Sequence, residues 1–168
     1  MPLGTDYPEQ DCAIARSLEI VGERWTLLIV RDLFYGVRRY SDLRKHIGLP
    51  PATLTDRLAH LLEAGVAQRI RGNGARDEYA LTPKGETLWP VIYGLLQWGS
   101  ENYVETESRM LFTHHQCGNQ LDGIGWCRPC GMAPKAADVV LQRRSADNGD
   151  PFAIAMKEPH RLLTPLRV

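Results

Sequence analysis

The stretch Ser41-Asp-Leu-Arg-Lys-His-Ile-Gly-Leu-Pro-Pro-Ala-Thr-Leu-Thr-Asp-Arg-Leu-Ala-His-Leu-Leu-Glu-Ala-Gly65 decides how this chain folds. It opens on a serine suited to a helix N-cap and runs through Leu43 and Ile47 to Gly48, a natural helix stop. Leu49-Pro50-Pro51 then breaks the chain sharply, and Pro51 suits the first turn of a new helix, where its missing N–H costs nothing. From Ala52 to Ala64, Leu54, Leu58, Leu61 and Leu62 recur at the spacing of one buried helix face, and Gly65 closes the run. Two short helices joined by a tight turn are predicted.

Upstream, residues 10–22 place Cys12, Ala15, Leu18 and Val21 at helical spacing with Gly22 as a stop. Residues 23–35 then set Trp25, Leu28, Ile29, Leu33 and Phe34 on one face, ended by Gly36. Downstream, Val66–Arg71 and Asp77–Leu81 alternate in polarity across Gly72-Asn-Gly-Ala-Arg76, which reads as a β-hairpin. Thr82-Pro83 opens a long helix, roughly 84–103, carrying Leu88, Trp89, Ile92, Leu95, Leu96 and Trp98. Phe112 to Asp138 is short, glycine-rich and cysteine-bearing, so a small ribbon is expected there. Residues 142–168 show little periodicity and read as a partly ordered tail.

That order of elements is the layout of a winged helix-turn-helix: mostly α with a small β-wing, a long C-terminal dimerisation helix and a cysteine-rich β-ribbon. The expected division is a DNA-binding and dimerisation domain at 1–108, a ribbon at 109–141 and the tail at 142–168.

Composition agrees. At 168 residues, 43% hydrophobic and 24% charged, the chain can bury a core, and wholesale disorder is excluded. The apolar run Trp25–Val30 is cut by Arg31 and Asp32, far short of the roughly 20 residues a membrane span needs. The start, Met1-Pro-Leu-Gly-Thr-Asp6, lacks a basic segment followed by an apolar core, so a cytoplasmic location is expected. Net charge is zero, yet residues 38–76 hold eight basic against three acidic side chains, which is +5. A local basic face on a neutral protein is what phosphate contact requires.

The polar face of the fourth helix carries Thr53, Thr55, Arg57 and His60, short donors and a long fork suited to base edges and phosphates in a major groove. Arg71 and Arg76 flank the hairpin tip, where phosphate or the minor groove would lie. Ser41 is expected mainly as a cap whose neighbouring amide can also bind phosphate, with Arg39 just before it. No G-x-S-x-G, H-E-x-x-H or phosphate-cradling loop occurs, so an enzyme is not expected. A winged-helix adaptor that binds protein instead of DNA is the competing reading, and the Thr53, Thr55, Arg57, Arg71 and Arg76 pattern speaks against it.

Cys12, Gly22-Glu-Arg-Trp25-Thr-Leu-Leu-Ile-Val-Arg31-Asp-Leu33, Arg39-Tyr-Ser-Asp-Leu43, Leu54-Thr-Asp-Arg-Leu58, Leu61-Leu-Glu-Ala-Gly65, Glu78-Tyr-Ala-Leu-Thr-Pro-Lys-Gly85 and Trp98 together resemble the HxlR-type branch of MarR-like winged-helix regulators. The likeness spans about residues 10–103. It implies a dimeric transcription factor on double-stranded DNA, with repression as the expected mode, contacts from the fourth helix and wing, and an effector that varies between members. It also implies that Cys12 is a redox or electrophile sensor, which chemically needs a thiolate. Arg16 one turn on would favour that thiolate, Glu9 and Asp11 would oppose it, and an inert buried cysteine is the alternative.

His115-Gln-Cys117-Gly and Cys127-Arg-Pro-Cys130-Gly supply four soft ligands in a segment too short to build a core, a pattern compatible with a structural Cys3His zinc site. His114 is an alternative ligand. A metal-free ribbon or a redox-active Cys127–Cys130 pair fits the same residues.

Overall fold

The computed structural model describes residues 7–72, 77–105, 110–143 and 151–168. Helix α1 (Ala13–Val21) leads into α2 (Arg24–Phe34), whose N-cap Glu23 accepts a hydrogen bond from the Trp25 amide. Helices α3 (Tyr40–Ile47) and α4 (Pro51–Glu63) follow, then the antiparallel strands β1 (Ala67–Arg71) and β2 (Asp77–Leu81) in the register Ala67 to Leu81 and Arg71 to Asp77. Gly48 joins α3 to α4 at φ 73°, the left-handed conformation that lets the chain reverse there. One exterior face of each helix is left to solvent. The inner faces, Ile29, Val30, Leu33, Leu43, Leu54, Leu58 and Leu61, make one continuous core.

Two expectations about caps and lengths are corrected. Ser41 is not the N-cap of α3: Arg39 holds that position, and Ser41 lies inside the first turn with its hydroxyl on Asp42. The helix expected over 84–103 is two, α5 (Pro83–Glu86) and α6 (Trp89–Tyr103). Pro90 is the reason. It has no N–H to give to the carbonyl four residues back, so the helix restarts with Pro90 in its first turn.

The C-terminal third differs most from expectation. Strands β3 (Met110–His114), β4 (Val139–Arg143) and β5 (His160–Arg161) form a three-stranded antiparallel sheet with β4 in the centre. The boundary expected between 141 and 142 falls inside β4, and the expected tail is a packed strap. Helix α7 (Pro151–Ala155) buries Phe152 and Ala153, and Met156, Leu162 and Leu166 are buried after it. The strap runs against the end of α2: Leu163 N–H donates to Phe34 O at 2.7 Å and Leu166 N–H to Gly36 O at 2.8 Å. Gly36, at φ 82°, leaves room for it, since a Cβ there would overlap the Thr164 carbonyl. Phe112 of β3 seals the join by packing on Trp89 and Tyr93 at ring separations of 5.8 and 5.3 Å.

Candidate nucleic-acid interface and cysteine cluster

The turn between α3 and α4 is built so that its polar groups are already fixed. The Tyr40 hydroxyl donates to Pro51 O at 2.9 Å and lies 3.1 Å from Thr55 Oγ1, which itself donates to Pro51 O at 3.0 Å. Tyr40 therefore ties the first turns of α3 and α4 together, and Thr55 spends its proton inside the protein. Arg57 and His60 are half-buried, Thr53 likewise, and Thr55 is exposed on the same helix. Beside the turn lies an open cleft of about 470 Å³ lined by Tyr40, Ser41, Arg44, Lys45 and Gly48. Arg44 and Lys45, both exposed, belong with the candidate site, and their adjacency on the outer face of α3 was the sequence signal for them.

Arg71 is exposed at the end of β1 next to the hairpin tip, with exposed Arg69 on the same strand. Arg76 lies outside the described residues. Arg39 sits 3.5 Å from the Glu78 carboxylate of β2, and Arg167 of the strap reaches the same carboxylate at 2.9 Å. Burial alone would raise the Glu78 carboxyl, but Arg167 and Arg39 together hold it below the ordinary carboxylate range. The strap and the wing thus share one ion-paired knot.

Beneath the surface, Asp32 is fully buried and joins α2 to α3. Its Oδ1 accepts from Arg31 Nε and Nη2 at 2.9 and 2.7 Å, and its Oδ2 lies 2.7 Å from His46 Nδ1. A buried carboxylate with partners on both oxygens fixes the angle between those helices, at the risk of a large penalty if a partner is lost.

Cys12 is exposed and occupies the N-cap of α1. The Ala15 and Ile14 backbone amides lower its thiol pKa, the helix N-terminus outweighing the opposing effect expected from Glu9 and Asp11. It is not a buried thiol.

The other three cysteines converge. Ligand atoms of His114, Cys117, Cys127 and Cys130 all lie within 4.8 Å of one another. The histidine is His114, not His115. Alternation along β3 turns His114 inward, fully buried, whereas His115 is exposed just past the strand end. Cys117 Sγ is 3.5 Å from both His114 Nδ1 and Cys127 Sγ. Gly118 and Gly131, at φ 69° and 65°, turn the backbone directly after Cys117 and Cys130. Hydrogen bonds from the Asn119 side chain and backbone push the Cys117 thiol down to about 6, and its neighbouring sulfurs push Cys130 up to about 11. Three thiols and a buried imidazole, with His114 Nε2 unpartnered among the described residues, are a donor set able to bind a metal such as zinc.

No helix of the described residues is long and apolar enough to cross a membrane. Against known proteins, the model of the HxlR-like helix-turn-helix family matches residues 20–107. An uncharacterized HTH-type transcriptional regulator of Mycobacterium tuberculosis, Rv3095, is 41% identical over 131 residues, 76% of this chain and 83% of that protein. One from Bacillus subtilis, YdeP, is 32% identical over 59% of this chain and 82% of its own length. The crystal structure of PA1607, named as a candidate transcription factor, superposes with a TM-score of 0.63 at 32% identity over 83% of this chain and 97% of that one. The redox regulator HypR in its oxidized form superposes at 0.51 with 26% identity, over 54% of this chain and 97% of its own.

Proposed function

The chain belongs to the HxlR-like helix-turn-helix family and is a transcriptional regulator of the HTH type, not an enzyme; on that basis we propose that it is a homodimeric repressor reading an inverted-repeat operator in double-stranded DNA. The observation that carries this reading is the pairing of α4 with a fixed turn and a basic rim made by Arg44, Lys45, Arg57 and Arg71. Arg57 is the base reader, and Arg71 and Arg76 contact phosphate or the minor groove. Thr53, His60, Arg39 and Ser41 complete the contact set, while Thr55 acts chiefly by holding the turn.

Dimerisation is supported by apolar side chains left on the surface of α1 and α6: Ile14, Leu18, Val91, Leu95, Trp98 and Tyr103. Leu95 and Leu96 also border a shallow apolar groove with Leu27 and Leu28. A second copy covering both helices would bury them and set two α4 helices about one DNA turn apart.

His114, Cys117, Cys127 and Cys130 would hold a structural zinc ion, which supplies cross-linking energy to a segment whose Ile124, Trp126 and Met132 side chains are exposed. The exposed Cys12, with its thiolate favoured at a helix N-terminus, supports a response to oxidants or electrophiles.

Salt-dependent DNA titration on the region upstream of its own gene tests the reading. A saturable complex of one dimer is expected, with Arg57→Ala losing about 1–3 kcal/mol of discrimination at one base position. Wild-type specificity in Arg57→Ala would remove α4 as the reader.

A further inference from the structure

Among the described residues, four buried side-chain polar atoms lack a hydrogen-bond partner: Thr26 Oγ1, Tyr35 Oη, His114 Nε2 and Arg143 Nε. Folded proteins leave few such atoms, because each forfeits the bonds it made to water. His114 belongs to the cysteine cluster. Tyr35 and Arg143 are more than a hundred residues apart in sequence, at the end of α2 and in β4, yet both line a single cleft of about 250 Å³. That cleft runs along the seam where α2, α3 and α6 meet β3, β4 and α7.

The walls are aromatic and apolar. Phe152 stacks on Tyr35 at 5.5 Å and on His46 at 3.9 Å, and Phe112, Leu96 and Met110 form the remaining apolar lining. Charge is unevenly met. Arg31 gives two donors to Asp32, and His46 takes the other oxygen of the same carboxylate. Arg143 has no ion pair among the described residues. Seen from the cleft, one guanidinium lacks a counter-charge and one phenol lacks an acceptor, between rings stacked in parallel.

A planar aromatic acid satisfies each of these. Its ring lies against the aromatic wall, its carboxylate accepts from Arg143, and the Tyr35 hydroxyl donates to it. Sites for drug-sized ligands run roughly 300–1,000 Å³, so this smaller cleft suits a single ring with one acid group and excludes a nucleotide. Burial raises the Tyr35 phenol well above its ordinary range, which keeps it a donor.

We propose that this seam is the binding site of a small aromatic carboxylic acid, and that the acid is the protein's effector. The second half rests on the reading of the chain as a DNA-binding regulator. The cleft touches α2 and α3 of the helix-turn-helix on one side and the C-terminal module on the other. A ligand held by both favours one relative placement of the two, and DNA affinity shifts by as much as its preference for that placement.

Benzoate is the probe and benzyl alcohol its uncharged control, used on the full-length protein with ligand-observed NMR and thermal shift. Benzoate is expected to bind saturably and raise Tm, the alcohol to do neither, and Arg143→Met to weaken benzoate about tenfold, the fold-change of one lost charge-assisted contact. Tyr35→Phe gives the sharper reading, because removing an unpaired hydroxyl leaves the free protein as stable as before or more so, yet weakens benzoate several-fold. Equal binding of acid and alcohol, no saturable binding, or unchanged benzoate affinity in both variants overturns the site. DNA titration with and without saturating benzoate tests the effector role: a midpoint shift of threefold or more in wild type, lost in Arg143→Met, supports it, and an unmoved midpoint overturns it. Failure of the ligand-free protein to bind DNA would count against the regulator reading alone, because the NMR arm contains no DNA.

Discussion

The helix-turn-helix half and the C-terminal module are held together by different physics. In the first, Leu43, Leu54, Leu58 and Leu61 are 0–2% exposed, drawn from neighbouring helices a few residues apart in sequence. Periodicity and caps bring those side chains together with short loops and little closure entropy. The second half has a three-stranded sheet whose apolar residues point largely at the first: Phe112 against Trp89, Phe152 against Tyr35, the strap along Gly36. Between β3 and β4, the residues that converge are three thiols and a histidine. One region makes its own core. The other borrows a core and adds a cross-link.

Metal removal should separate them most sharply. Structural zinc contributes about 10–16 kcal/mol to small zinc-folded peptides, so chelation or Cys127→Ser should open residues 112–140 and leave α1 to α4 closed. Hydrogen exchange reads this directly, and unchanged protection across 112–140 in metal-free protein would mean that packing alone folds the ribbon. Elemental analysis of reduced, tag-free protein would point the same way if it found less than one metal per two chains. Leu54→Ala is the converse experiment. It should cost about 2–5 kcal/mol and collapse the first half, with the module losing protection too because its docking surface has gone. A module that stays protected in Leu54→Ala would be an independent domain, and the contrast between the two halves would fail.

Much of the first region was legible in the sequence because its signals are local. Gly48, Pro51 and the leucine spacing each act within a turn or two, and α3, α4 and the hairpin lie where they point. Pro90 was just as visible, and a proline in the middle of an apolar helix marks the break between α5 and α6. The strap was not legible. Gly36 reads as a helix stop, which it is, but the close approach of Thr164 depends on a residue 128 positions away. His114 against His115 was open for a similar reason: the choice turns on which face of β3 meets the core, and β3 pairs with a strand 25 residues on. Arg39 resembles a free DNA contact until Glu78 and Arg167 come beside it.

The strap can be displaced without touching the metal. Gly36→Ala forces a Cβ into the Thr164 carbonyl at a left-handed backbone position, a cost of about 1–3 kcal/mol. Loss of protection confined to 160–168 is expected, together with freer motion of Glu78 and Arg39 at the base of the wing. If those amides exchange as in wild type, the strap is not held by its contact with α2.

The weakest effect is a dependence of the strap on acidity, and its sign follows from two groups. Burial lowers the His160 imidazole below its ordinary 6.5, against the raising effect of its bond to Tyr35 O. The folded form therefore favours neutral His160, and the stability it adds is present above pH 6.5 and falls as protons bind below it. Glu78 behaves likewise one step lower: its folded form favours the carboxylate, so its contribution is present above 4.5 and is lost as pH falls through the depressed value. No group of the knot works in the opposite direction, since Arg39 and Arg167 stay charged throughout. Acidification from about pH 7 to about 5.5 should loosen residues 160–168 through His160 alone, by less than about 1 kcal/mol because the ring is half-exposed to solvent. Exchange corrected for its intrinsic pH dependence should show this in wild type and not in His160→Gln. A strap that tightens as the pH falls would mean the protonated imidazole is the form the fold prefers, and the seam between the two regions would then be closed by charge and not by burial.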